Sequence, residues 1–276
     1  MSDSAATIKG AAAAARERKL TFRGGGFAIE QRTWISVLGF VGLIALWHLA
    51  TDTFELASPI FLPSPMRVLR ALWDLAVTGD LWRHMSASLV RIGYGWVIGT
   101  AFGVGVGLMI GLFTVSRAVG LPLVAALFPI PKIALLPLLI LWLGIGEGSK
   151  VATIALSVFF PTVIATFSGV DSVPRNLIRM AQSFNVPLWR IVTQVLLPGA
   201  LAGMLAGFRI SIAAALLVLV AAEMIGAQYG IGAFLILTGN MMQTDRLMAG
   251  VVVVSVLGLA MATIVSFVER RLLRWR

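Results

Sequence analysis

No cysteine occurs in the 276 residues, which excludes a disulfide framework, a thiolate metal site and a cysteine nucleophile together. Histidine is nearly as scarce: His48 and His84 are the whole complement, and they do not stand in a metal-ligand spacing. The phosphate-loop pattern Gly-x-x-x-x-Gly-Lys-Ser/Thr is missing too, although Gly144-Ile145-Gly146 and Gly148-Ser149-Lys150 carry fragments of it. Charge is thin, at 12% of residues against 59% hydrophobic. The sparse ionisable groups form no catalytic constellation, so the chain reads as no enzyme, with no cofactor and no metal.

What is present is apolar. A mean hydropathy of +0.95 is more than a water-facing surface permits and places the chain in a lipid bilayer. The net charge of +10 raises the question of nucleic acid, but a basic excess in a membrane protein is first explained by Lys and Arg held in cytoplasmic loops, and no nucleic-acid partner is expected.

Charge-free gaps mark the spans, because a helix needs about 20 mostly apolar residues to cross the hydrocarbon. Such gaps run from Arg32 to Asp52, Arg91 to Arg117, Lys150 to Asp171 and Arg246 to Glu269. A fifth span runs from Gly199 to about Gly226, interrupted by Arg209 and Glu223. Another covers Ala118 to Gly146, broken near its middle by Pro129, Pro131 and Lys132. The expectation is an all-α integral membrane protein of about six transmembrane helices.

Orientation follows from the basic residues. With the N-terminus inside, most Lys and Arg fall in the tail (Lys9, Arg16, Arg18, Lys19, Arg23, Arg32), at Arg117, in the segment 172–198 (Arg175, Arg179, Arg190) and at the end (Arg270, Arg271, Arg274, Arg276). Fewer fall outside, at Arg67, Arg70, Arg83, Lys150 and Arg246. That asymmetry predicts cytoplasmic termini. Residues 1–32 read as a flexible cytoplasmic tail without the apolar length of a signal peptide, leaving 33–276 as the transmembrane domain.

Local signals add detail. Ser64 and Pro65 read as the N-cap and first position of a short helix on the membrane surface, with Val68, Leu72 and Leu75 on one face and Gly79 as its stop. Trp34, Trp47, Trp82 and Trp96 fall near span boundaries, where indole rings anchor. Gly95, Gly99, Gly103, Gly107 and Gly111 repeat every four residues in the second span. Two readings stand for that stripe, close packing within the subunit ahead of a sliding seam.

The segment 172–198 is a polar, cationic hairpin between apolar runs. Pro174 suits the first position of one helix, Asn185 tolerates the left-handed turn that ends it, Pro187 starts a second helix and Pro198 closes it. Leu188, Ile191, Val192, Val195 and Leu196 give the second helix an apolar face. Met180 and Phe184 form an exposed i, i+4 stripe that a partner could bury.

These residues resemble the permease subunits of ATP-binding-cassette importers, whose mark is Glu-Ala-Ala, three residues, Gly, then nine residues and a hydrophobic-Leu-Pro ending. Arg179-Met180-Ala181 stands for Glu-Ala-Ala, Asn185 for the Gly, and Val195 to Pro198 for the ending, with Gln182, Ser183 and Phe184 between. Phe61-Leu62-Pro63-Ser64-Pro65, the stretch Pro131 to Leu138 running on to Trp142 to Lys150, Gly207-Phe208-Arg209 and Val220-Ala221-Ala222-Glu223 are similar to the sulfonate, nitrate and taurine branch. The resemblance implies a type I importer permease fold in a bacterial inner membrane. It implies a homodimer with residues 179–185 as a coupling helix docked on a cytoplasmic ATPase, and an external solute-binding protein. Aliphatic sulfonates come first as cargo, with nitrate, taurine and bicarbonate behind. Arg179 departs from the usual Glu and inverts one charge at the docking surface.

Arg209, Lys132 and Glu223 are candidates for the translocation pathway, since an ionisable group inside a membrane is costly. Arg209 and Glu223 are separated by about 21 Å along a straight helix, so each needs another partner. Arg209, counted from Gly199, falls near mid-depth, either attracting an anion or satisfied structurally. For Glu223 pairing at a gate or subunit interface is favoured over solute contact. A secondary transporter working without an ATPase is the alternative of another class, although the duplicated halves such a protein usually shows are absent from the sequence.

Overall fold

The computed structural model describes residues 33–56 and 58–274, so the tail 1–32 lies outside the described residues. The described residues form helices and no strands. Two compact units divide the chain, residues 1–49 and 50–276. The first contributes α1 (Thr33–His48), whose Trp34, Phe40, Leu43 and Leu46 are exposed, the arrangement of a helix meant for lipid.

The second unit begins with the short helix α2 (Pro65–Thr78). Its N-cap is Ser64, its first residue Pro65, and Gly79 ends it at φ +86°, in the left-handed region where glycine is favoured. Val68, Ala71 and Leu75 are buried. Next come α3 (Asp80–Leu112), α4 (Thr114–Leu127), α5 (Leu136–Leu143), α6 (Glu147–Asp171), α7 (Arg175–Ser183), α8 (Leu188–Ile191), α9 (Leu197–Met224), α10 (Ile231–Asn240) and α11 (Thr244–Leu272). Among the described residues five stretches are long and apolar enough to span a membrane, and the count reaches six when α4 and α5, bent by 89° to each other, are taken as one broken span. The bend falls at Phe128–Pro131, where Pro129 and Pro131 remove backbone donors.

The core of this unit is a packed rod of three helices. β-Carbons added to Gly95, Gly99, Gly103, Gly107 and Gly111 of α3 would run into Ile154, Val158, Thr162, Thr166 and Val170 of α6. Both series advance four residues at a time, so α3 and α6 run parallel in constant register. The glycine stripe is therefore packing within the subunit, the first of the two readings. α9 returns antiparallel, with Gly203 against Gly169 and Gly207 against Ala165. The buried side chains of α6 include Thr153, Ser157 and Thr162, whose hydroxyls donate back to their own helix at Ser149 O, Ile154 O and Val158 O. Lipid supplies no hydrophobic drive between helices, so small residues and self-satisfied hydroxyls line the seam while large apolar side chains face outward.

Four expectations need correction. Pro198 does not close a separate helix: α8 passes through a π-turn (Val192–Leu196) into α9, and residues 188–224 form one apolar stretch with Pro198 directly after the π-turn. Pro174 caps α7 from outside its first turn. Lys150 is not a loop residue but lies in the first turn of α6, 4% exposed, its Nζ donating to Gly146 O at 3.0 Å, so a long stem brings the charge back to the helix start. Trp96 sits half-buried between helices, Nε1 donating to Ser211 Oγ at 3.1 Å and its ring edge-on to Phe208. The sequence also gave no sign of α10, ten residues and too short to span.

Candidate functional site: a hairpin at one end, a buried charge cluster at the other

The C-termini of α3 and α6 and the N-terminus of α9 meet at one end of the bundle, where the hairpin projects. α7 and α8 rest on a core of Val170, Val173, Ile191, Leu196, Ala200 and Met204. Asn185 turns the chain at φ +54°, the left-handed conformation expected of it. Met180 and Phe184 stand 56% and 76% exposed, whereas Ala181 is half-buried against the core. Arg179, Gln182 and Ser183 are exposed on the same helix. Beside the hairpin Arg117 donates to Asp171 at 2.8 Å, tying the start of α4 to the end of α6.

Arg209 belongs nearer this end than a count from Gly199 suggests. Its guanidinium pairs with Glu269, three residues before the end of α11, so Arg209 lies at the level of the Arg270–Arg271 pair, in an apolar stretch that starts at Leu188 rather than Gly199. Lys132 sits in the break between α4 and α5. Its ammonium donates to the carbonyls of Leu127, Phe128 and Ile130 and stands 4.5 Å from the centre of the Phe160 ring. The Leu127 carbonyl also accepts from the Ile130 N–H, and the other two carbonyls lie just past the end of α4, in the break that the prolines open.

Glu223 lies at the opposite end, with none of its side chain exposed. Arg91 Nη1 donates to Glu223 Oε1 at 2.7 Å and to the Tyr229 carbonyl at 2.6 Å, while Nη2 and Nε donate to Glu147 Oε1 and Oε2 at 2.7 and 2.5 Å. Glu223 also accepts from Ser88 Oγ at 2.8 Å and from the Gly232 N–H at 2.9 Å. Ser88 Oγ in turn accepts the Ile231 N–H at 2.9 Å. His84 Nδ1 faces the backbone of Gly230, 2.9 Å from its carbonyl oxygen and 3.1 Å from its nitrogen. Gly230, at φ +136°, leaves no room for a β-carbon beside Glu223 and Arg91. Four of the five guanidinium N–H groups of Arg91 are therefore used, two carboxylates among the acceptors, which is what allows a charge to stay in a buried place.

The three pathway candidates are not brought together, and each is held by its own neighbours. The sequence reading missed Arg91 as a partner because it served only to mark the edge of a span. A usable signal existed: Arg91 lies four residues before Gly95, so the glycine periodicity extended backward points it into the bundle.

The bundle of apolar helices, with its exposed hairpin and parallel glycine seam, has an ABC transporter permease fold. A chain of the MetNI methionine ABC transporter in an inward-facing conformation superposes with a TM-score of 0.57, covering 71% of this chain and 95% of that one at 18% identity, which shows a common fold. The chain belongs to the family of binding-protein-dependent transport system inner membrane components, whose family model matches residues 99–274. It is 34% identical to the taurine transport system permease protein TauC of Escherichia coli over 94% of both chains. It is 35% identical to an Escherichia coli protein named as an aliphatic sulfonates transport permease, SsuC, over 85% of this chain and 89% of that one. The Bacillus subtilis protein of the same name is 32% identical over 85% and 84%.

Proposed function

We propose that this chain is the permease subunit of an ATP-driven importer for small organic sulfonates, with aliphatic sulfonates first and taurine, itself an aminoalkanesulfonate, as the alternative. The observation that carries the reading is the match, over at least 84% of each partner's length, to relatives named for these two cargoes. Both cargoes present the same anionic head, so the shared chemistry is a sulfonate on a short carbon chain.

In this reading residues 1–32 are a cytoplasmic tail, 33–276 form the transmembrane domain, and both termini and the hairpin face the cytoplasm. The positive charge of the tail, the hairpin and the C-terminus supports that orientation. ATP is hydrolysed on a separate cytoplasmic subunit that grips α7, with Arg179, Met180, Ala181, Gln182, Ser183, Phe184 and Asn185 as the docking surface. Its exposed Met180 and Phe184 are the kind of anchors a groove buries. A second copy of the permease completes the pore, and a solute-binding protein delivers cargo at the opposite face. Arg209, Lys132 and Glu223 remain pathway candidates, the first two as cations near a passing anion.

The test is uptake of labelled alkanesulfonate, taurine, nitrate and bicarbonate by proteoliposomes holding the permease, its ATPase and its own binding protein. ATP-dependent uptake of the sulfonate-bearing solutes supports the reading. Uptake of nitrate or bicarbonate alone, or uptake without the ATPase, overturns it.

A further inference from the structure

We infer that Arg91 is a positioning residue through which the end of the permease remote from the hairpin controls the ATPase, and that its bond to Glu147 is the releasable arm of that connection. The inference rests on the functional reading above and adds to it a residue and a direction of transmission.

The argument begins with α6. Its first residue is Glu147 and its last is Asp171, about 37 Å along the axis, and only Ser172, Val173 and Pro174 separate it from the hairpin helix α7. Val173 is buried in the hairpin core, so that short link is pinned rather than slack. Along its length α6 is held by α3 in the constant register of the glycine stripe and by α9 at Gly169. α6 carries Pro161 in its interior, but its register against α3 continues beyond that residue through Thr162, Thr166 and Val170, so movement of its first turn is carried to the hairpin by the packed pair of helices.

Arg91 decides what that first turn is fastened to. One side of its guanidinium grips Glu147 with two parallel bonds, and the other reaches Glu223 of α9 and the Tyr229 carbonyl ahead of α10. A planar fork bridging two carboxylates and a carbonyl is a geometry lysine cannot reproduce. The two arms differ in setting. The Glu223 side chain is fully enclosed, whereas that of Glu147 is 66% exposed. The Glu147 side chain is open on its outer face in the single subunit, and removing it leaves Arg91 still paired with Glu223. The enclosed arm holds the cluster together and the exposed arm can open.

The experiment uses the full complex in nanodiscs, with ATP turnover measured with and without the liganded binding protein, for the natural chain, Glu147→Gln and Arg83→Ala. Arg83 lies on the same helix and holds Tyr229 by its hydroxyl and ring face, so it controls for disturbance of this end, Tyr229 included, that leaves the Arg91–Glu147 bond in place. Glu147→Gln is expected to keep unstimulated turnover within about twofold and to lower the stimulation by about fivefold or more, the lower range of measured couplings between sites. Arg83→Ala is expected to keep both. Full stimulation in Glu147→Gln, or equal loss in Arg83→Ala, overturns the inference. Absence of stimulation in the natural chain overturns the functional reading instead.

Discussion

Gly203 of α9 meets Gly169 of α6 backbone to backbone: a β-carbon on Gly203 would lie 2.9 Å from the Gly169 Cα. The obstacle is main chain, which cannot rotate aside. Gly203→Ala is therefore expected to push α9 off α6 and to cost about 1–3 kcal/mol. Gly105→Ala, where nothing lies within 4 Å, serves as the control and should be neutral or slightly stabilising in a helix interior. Thermal unfolding of the two variants in detergent measures the difference.

Glu223→Ala removes a fully buried carboxylate that accepts from Arg91, Ser88 and the Gly232 amide. Arg91 keeps its two bonds to Glu147 but loses its enclosed partner, and Ser88 Oγ and the Gly232 N–H lose their buried acceptor, at a cost of about 3 kcal/mol or more. Folded yield and thermal midpoint should both fall sharply, and by more than in Ser88→Ala, which leaves the Ile231 N–H unpaired at about 1–3 kcal/mol.

Arg209 is the partner of Glu269 and, in the proposed reading, also a cation near the pathway, two roles that variants separate. Its side chain is 52% exposed, so loss of the pair alone is expected to cost no more than about 1 kcal/mol. Arg209→Ala is expected to slow sulfonate uptake while the complex still assembles. Glu269→Gln, which frees the guanidinium, should leave uptake intact. Equal defects in both variants would assign Arg209 to the ion pair alone.

Replacing Met180 and Phe184 together with serine is expected to weaken ATPase binding by at least about tenfold and to abolish transport-linked turnover, as loss of interface anchors does. Both side chains are exposed in the isolated subunit, so its own thermal stability should not change. Co-purification of the ATPase with the variant at undiminished yield would contradict this.

The lack of native cysteine makes the orientation directly measurable. A single cysteine in place of Gln182, exposed on the hairpin, should react with a membrane-impermeant maleimide only after cells are opened. One in place of Trp82, exposed at the start of α3, should react in intact cells.

Much of the architecture was legible because a bilayer imposes a simple rule: a stretch of about 20 apolar residues must become a helix. The break at Pro129 and Pro131, the cap pair Ser64 and Pro65, the turn at Asn185 and the exposed Met180 and Phe184 each follow from local backbone or side-chain chemistry. The partners of the ionisable residues did not. Arg91 and Glu223 lie far apart in the chain, and nothing local to either announces the other. Lys150 misled because its charge suggested a loop, while its flexible stem lets it occupy a buried helical turn with the ammonium returned to Gly146. The fifth span was placed too late for a similar reason, since a π-turn lets the chain continue through Val192–Leu196 where Pro198 alone argued for a stop.

The sequence by itself determined the class, the spans and the hairpin, because hydropathy, proline and turn chemistry act within a few residues. Only the tertiary structure decided that the glycine stripe faces α6 in parallel register, that Arg209 answers to Glu269, and that Arg91 binds three segments at once. Those facts depend on which helices become neighbours, and in a membrane that choice is made by shape and by pairing of buried charge rather than by apolar content, which every span shares.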